Sequence, residues 1–496
     1  MKILFVYSVQ KSIVKEKPLM GQEGIYLGIS FIASVLKKHG HDCDLVVLDR
    51  RYKQQNLRLL SDRIASFSPR IVAFTAVYSE FEFICSIASG IKKLFPDLFL
   101  YAGGVHITLN PDEKYLDLFD AFCVGEGEYP TLELVTNLTA GKNIDAIPNL
   151  WVKTDAGIVK NPPRPFIPDL DELPFPDRDI WQQWIFNPDT KLTILVARGC
   201  PYNCTYCCNH RLRKISPGNY VRLRSAANLL AEIRSLHRQF PNVEEIYLEI
   251  ETLGVNMKWL EAFCEALSQF GEETGHKLRY GTNLRIYPAI QPEVIFRHFH
   301  KANITSVTIG LESGNYRIRK DILNRDYSNE TLLKTVETAC HYGIDIALFN
   351  MIGLPTETPT EFQETLQMNR TIQPAFHATS IFFPYPGTEL YEMCTRMNLI
   401  PKKMITKDER QIATLNLPGF SKKQIQKCFD SFHYNVYKDR PNKSWIKLLI
   451  YFTMQYLGHN FYANLKIIVI RLFYKMKATS LISRDFFSIF QKSGKN

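Results

Sequence analysis

Three cysteines stand within eight residues of one another: Cys200, Cys204 and Cys207, in Arg198-Gly199-Cys200-Pro201-Tyr202-Asn203-Cys204-Thr205-Tyr206-Cys207. Thiolates at x3 and x2 spacing on one short loop can take three corners of an iron–sulfur cluster and leave one iron without a protein ligand. An iron with an open position can bind a chelating molecule and react with it. The competing metal is zinc, which in closed structural sites takes four Cys or His ligands in tetrahedral array. Cys208 directly follows Cys207 and would reach the same ion with difficulty, while His210 lies at an unusual offset. The spacing favours the cluster.

A reactive loop needs a scaffold, and the apolar pattern supplies two. Short apolar runs at 3–7, 45–48, 71–75, 98–101 and 121–124 alternate with stretches of helical period, such as 25–37 and 83–94. Strands too uniformly apolar to have a wet face, alternating with helices, predict a doubly wound parallel sheet of the Rossmann or flavodoxin type. From residue 191 the rhythm returns with a longer period. Strands are expected at 193–197, 245–248, 278–282, 306–309, 345–352 and 379–383, separated by helices such as 226–239, 259–270, 292–300 and 331–342. Six such units predict a partial (β/α)6 barrel, with chemistry at the carboxyl ends of its strands. The cysteine loop follows the first of them.

Between the two, residues 141–190 carry Pro148, Pro162, Pro163, Pro165, Pro168, Pro174, Pro176 and Pro188, which predicts an extended surface connector without regular elements. The expected division is a first domain over 1–140, the connector over 141–190, the barrel over 191–390 and a basic, aromatic-rich helical region over 391–496. Residues 401–496 hold 18 Lys and Arg against 5 Asp and Glu, so the net charge of +10 resolves into −3 for residues 1–400 and +13 for the tail. A near-neutral body argues against nucleic acid as a partner. The uncharged stretch 448–465 is short and too polar to span a bilayer, and reads either as an interfacial helix on anionic lipid or as a helical subdomain packed on the barrel. Eleven cysteines, seven of them scattered singly, and a first segment that reads as a strand point to a reducing, cytoplasmic location, with peripheral contact at the inner membrane face as an extension.

Cys200-x3-Cys204-x2-Cys207, with aromatic Tyr206 before the third cysteine, resembles the signature of the radical S-adenosylmethionine (SAM) superfamily. The resemblance implies a [4Fe-4S] cluster on these three cysteines whose open iron chelates SAM. One-electron reduction would then cleave SAM to a 5′-deoxyadenosyl radical. Carried over position by position, it implies SAM contacts from Tyr206 and from Glu251 at the end of the second barrel strand. The family's usual Gly-Gly-Glu or Asp-Asp pair is missing there, which leaves Glu249 as the alternative. It further implies contacts from Asn283 and Arg285 after the third strand, Glu312 after the fourth and Gly353 after the fifth; each of these could equally be an ordinary polar or turn residue at the barrel rim.

In the first domain, Gly103 and Gly104 with His106, and Gly125 with Glu126, follow strand ends and resemble the cobalamin-binding domain that precedes many such barrels. Glycines there let a large planar ligand approach the backbone. No Asp-x-His-x-x-Gly segment occurs, so bound cobalamin would lack a histidine ligand from that motif. A domain that has lost cobalamin and serves as scaffold is the alternative reading.

The expected activity is cobalamin-dependent radical SAM methylation of an unactivated carbon, on a small-molecule or lipid-like substrate, with an electron donor such as flavodoxin or ferredoxin. The alternatives are rearrangement, cyclisation or oxidation without methyl transfer, and a non-catalytic iron–sulfur carrier or sensor.

Overall fold

The computed structural model describes residues 1–438 other than 13, 190, 255, 276 and 277. The tail stretch 448–465, and with it the interfacial-helix expectation, lies outside the described residues. The described residues divide into two compact units, one comprising residues 1–203, 207–251 and 385–388, the other 204–206, 252–384 and 389–438.

The first unit opens with the strands β1 (Lys2–Val9), β2 (Asp42–Asp49), β3 (Ile71–Thr75), β4 (Phe99–Gly103) and β5 (Ala121–Cys123), all parallel, and the helices α1 (Leu27–Lys38), α2 (Lys53–Phe67), α3 (Tyr78–Leu94), α4 (Val105–Leu109) and α5 (Glu128–Thr139). The sheet order begins β2-β1-β3-β4-β5. The order reverses at β1, and ligands of such sheets bind beyond the carboxyl ends of the strands at that switch point. Ile3, Leu4, Val72, Leu100 and Ala102 are wholly buried. Helices on both faces leave no wet side, which is why these strands lack apolar–polar alternation.

The connector departs from expectation. Residues 141–190 are not free of regular elements, because β6 (Leu150–Thr154) pairs antiparallel to β5 and β7 (Gly157–Lys160) pairs back on β6. Its prolines all lie outside these two strands. Nor is the connector purely superficial. Trp181 is fully buried and donates from Nε1 to Ser30 Oγ at 2.8 Å, while Trp184 Nε1 donates to Leu45 O at 3.0 Å. The indoles bury large apolar area and each finds a polar partner.

The second βα series is a parallel six-stranded sheet in the order β15-β14-β13-β12-β11-β8, a partial barrel. Its strands are β8 (Leu192–Leu195), β11 (Glu245–Leu253), β12 (Arg279–Leu284), β13 (Ile304–Glu312), β14 (Asp345–Ile352) and β15 (Phe376–Ile381), and a two-residue ribbon of β9 (Ala197–Arg198) and β10 (Arg222–Leu223) flanks the cysteine loop. The helices are α6 (Asn209–Leu212), α7 (Ala226–Gln239), α8 (Met257–Thr274), α9 (Pro292–Lys301), α10 (Asn329–His341), α11 (Pro359–Ile372), α12 (Glu389–Arg396) and α13 (Lys422–Tyr437). Their starts are chemically marked: Pro292 and Pro359 occupy first turns, and Thr358 with Glu361 forms a capping box, as does Ser421 with Gln424. Helix α13 carries the apolar core past residue 400 by burying Ile425, Phe429, Phe432 and Val436.

Candidate functional site

Within the first unit a cavity of about 700 Å³ is lined by Thr75, Gly103, Gly104 and Gly125 at or just beyond strand ends. Gly104 has φ +97°, and a Cβ there would approach Ala76 O and Thr75 Oγ1 to 2.8 Å. Only glycine passes this point without strain. Gly125, with φ +106°, donates its N–H to Thr108 Oγ1 at 3.1 Å. His106 is placed differently: it is not among the cavity-lining residues, and its ring packs on Phe81 at 4.4 Å and Tyr78 at 5.5 Å. Burial pushes its pKa down to about 4, so it is a neutral core histidine near pH 7.

Glu126 lines the cavity, but its carboxylate is engaged by arginine. Oε1 accepts from Arg198 Nη1 and Arg222 Nη2, both at 2.9 Å, and Oε2 accepts from Arg222 Nη1 at 3.0 Å and Ile167 N at 2.9 Å. Burial works against the charge, yet Arg222 and Arg198 outweigh it and hold the carboxyl below its usual range. Arg198 also bonds Glu128 at 2.5 Å. These ion pairs tie the ribbon beside the cysteine loop to the turn after β5.

Glu249 and Glu251 also line this cavity, as strand alternation requires of residues two apart. Burial, and then the charge of Glu251, push the Glu249 carboxyl up. In the adjoining loop, Cys207 Sγ receives the Asn209 backbone N–H at 3.5 Å and its side-chain amide at 3.4 Å. The Cys208 thiol and these amide donors overcome burial and bring Cys207 down to about 7. Gly199, at φ +84°, passes so close to the Tyr220 backbone that no side chain fits.

The second unit holds the remaining candidates. Arg285 Nη1 donates to Cys204 Sγ at 2.6 Å. Tyr206 Oη donates to Glu312 Oε1 at 2.9 Å, and Arg325 Nη1 donates to Tyr206 Oη at 3.1 Å while lying 3.6 Å from Glu312 Oε1. Burial pushes the Glu312 carboxyl up, against the pull of Arg325. Glu312 itself has φ +63°, at a register shift between β13 and β14. Asn283 stands on β12 in register with Thr308. Gly353, at φ +80°, donates its N–H to Glu357 Oε2 at 2.7 Å, and Leu354 N does so at 3.3 Å.

Sequence reasoning missed Arg222, Arg325 and Glu357. Each acts through a partner 4 to 119 residues away, and neither spacing nor periodicity marks it. The adjacency of Glu357 to the capping residue Thr358 was the only local signal.

Such a sheet-edge cavity and cysteine loop define a class of protein built from a ligand-binding doubly wound domain and a partial barrel. The family description "B12 binding domain" matches residues 20–135 and "Radical SAM superfamily" matches residues 194–368. The chain carries a radical SAM domain preceded by an N-terminal B12-binding domain. It is 26% identical over 445 residues to an uncharacterised methyltransferase of Pyrococcus horikoshii, covering 88% of this chain and 92% of the relative. It is 26% identical to the anaerobic magnesium-protoporphyrin IX monomethyl ester cyclase of Rubrivivax gelatinosus, covering 73% of this chain and 65% of that one. In fold it is similar to the cobalamin-dependent SAM radical enzyme OxsB, with TM-score 0.68, 15% identity and coverage of 100% and 84%.

The cofactors of this class are a [4Fe-4S] cluster, SAM and cobalamin, and the residues present fit them. The cavity has the volume and glycine-lined edge that a large planar ligand needs. With a cluster bound, the Arg285 guanidinium would stand against the negative charge of a ligating Cys204 sulfur. Among the described residues no three Cys, His, Asp or Glu side chains converge on one metal ion. Also among the described residues, no helix is long and apolar enough to cross a membrane.

Proposed function

We propose that this enzyme methylates an unactivated carbon of a small-molecule or lipid-like substrate, with cobalamin and SAM as cofactors. The observation that carries the reading is that one cavity is lined both by the carboxyl edge of the doubly wound sheet and by Arg198, Gly199, Glu249 and Glu251 beside the cysteine loop. The named activity of the Pyrococcus relative supports methyl transfer.

In this reading Cys200, Cys204 and Cys207 hold the cluster, and Gly103, Gly104 and Gly125 admit cobalamin to the backbone. When bound, these groups supply one-electron cleavage of SAM and a methyl relay. The protein's own side chains orient and exclude water. Glu251, with Glu249 beside it, faces the cavity where a carboxylate would hold an ammonium, while Tyr206, Glu312 and Arg325 form a buried clamp and Glu357 fixes the Gly353 turn. A one-electron donor of the flavodoxin or ferredoxin type completes the requirement. The basic tail would bring the enzyme to an anionic membrane surface.

The test is anaerobic reconstitution with iron and sulfide, followed by cobalamin titration watched in the visible spectrum. Saturable uptake with a spectrum lacking the lower axial base is expected. A full iron load without cobalamin uptake would overturn the methyl-relay reading.

A further inference from the structure

The two faces of β14 and β15 differ sharply. On the helix-covered face Asn350 bonds Asn369 of α11, and His377 Nε2 lies 2.8 Å from His433 Nδ1 of α13. The opposite face carries Phe349, 45% exposed, and Phe376, 59% exposed. Register places them: Phe349 stands between Gly310 of β13 and Ala378 of β15, while Phe376 stands beside Ala347. The two rings are diagonal neighbours, and the other corners of the square are alanines. Gly310 and the alanines cannot cover the faces of the rings.

Large exposed aromatics set among small residues on one face mark a ligand surface more than a packing face. The patch is continuous with the candidate site, since Met351 follows on the same face of β14 and Gly353 lies just past the strand end. Between Ser306 and Gly310, and between Ala347 and Met351, the strand residues of this face are uncharged, and the charges that lie over Gly310, those of Glu312 and Arg325, are paired with each other at 3.6 Å. A charged substrate would have to break that ion pair to gain a counter-ion.

We propose that Phe349 and Phe376 form an apolar platform that selects a neutral hydrocarbon or aromatic moiety in the substrate and lays it along β14 and β15, with its reacting carbon toward Met351 and Gly353. The proposal deepens the methyltransferase reading and rests on it for the word substrate. Phe349 and Phe376 are positioning residues.

The probe is neutral N-phenyl-1-naphthylamine, equilibrated by dialysis against the cluster- and cobalamin-loaded protein, so that the large cavity is filled. Saturable binding is expected, weakened about tenfold or more in Phe349→Ser and in Phe376→Ser, with naphthalene-1,5-disulfonate retained by none of the three proteins. Iron content and thermal midpoint of the variants should match the parent, because both side chains are exposed. Equal probe binding by parent and variants, or retention of the disulfonate, overturns the platform. The underlying reading has its own readout, 5′-deoxyadenosine formed by the parent protein; its absence beside intact probe data would remove that reading and not the platform.

Discussion

Arg325 shows how far a side chain can matter without any mark in the local sequence. Its guanidinium bonds Gly310 O at 2.6 Å and Tyr206 Oη at 3.1 Å, and it lies beside the buried Glu312 carboxylate. Removing one partner of such a set leaves a buried charge uncompensated, at a cost of about 3–5 kcal/mol. Arg325→Met should therefore lower the denaturant-unfolding free energy by that order, and a loss below about 1 kcal/mol would show that Glu312 is not held by this ion pair. Glu357 gives a pH dependence. Burial pushes its carboxyl up to about 8, so the folded state holds it protonated while the unfolded chain ionises near 4.5. That contribution to stability is fully present below pH 4.5 and is lost as pH rises toward 8. Glu357→Gln, which stays neutral, should flatten the thermal midpoint between pH 5 and 8 and raise it at pH 8. A parallel pH profile in the two proteins would contradict the assignment.

At the scale of elements, α13 falls in the helical region expected over 391–496, but the βα rhythm, which fades after residue 390, did not indicate what the helix packs on. The helix docks through Phe432, which is 1% exposed, with its ring 5.9 Å from Phe362 on α11 and 5.2 Å from His377 on β15. Ile425 of the same helix packs over Gly353, where a Cβ would stand 3.1 Å from its Cγ2. Phe432→Ala should cost about 3–5 kcal/mol by chemical denaturation, as for other large-to-small changes in a packed core. If the change were neutral, α13 would be an appendage and not part of the barrel core. The hairpin of β6 and β7 teaches the same lesson about proline. Proline content predicted a connector with no strand, yet 150–160 forms two strands because its own residues contain none.

For the whole molecule, charge is the property read most directly from composition. Residues 1–400 sum to −3 and residues 401–496 to +13. If the tail serves a membrane surface, the protein should sediment with phosphatidylserine-containing vesicles at low salt and be released toward 0.5 M salt, because screening shortens to a few ångströms. Equal sedimentation with neutral vesicles would remove that role. The sequence by itself determined the cysteine spacing, the two βα series and the apolar strand runs, because backbone periodicity and ligand spacing are local properties. Tertiary structure alone decided that His106 turns into an aromatic core away from the cavity, that Glu126 is bound by Arg198 and Arg222, and that Arg325 reaches Tyr206. The reason is physical: a buried charge or ring is assigned its role by whichever partner satisfies it, and these partners are brought in by strand order and packing.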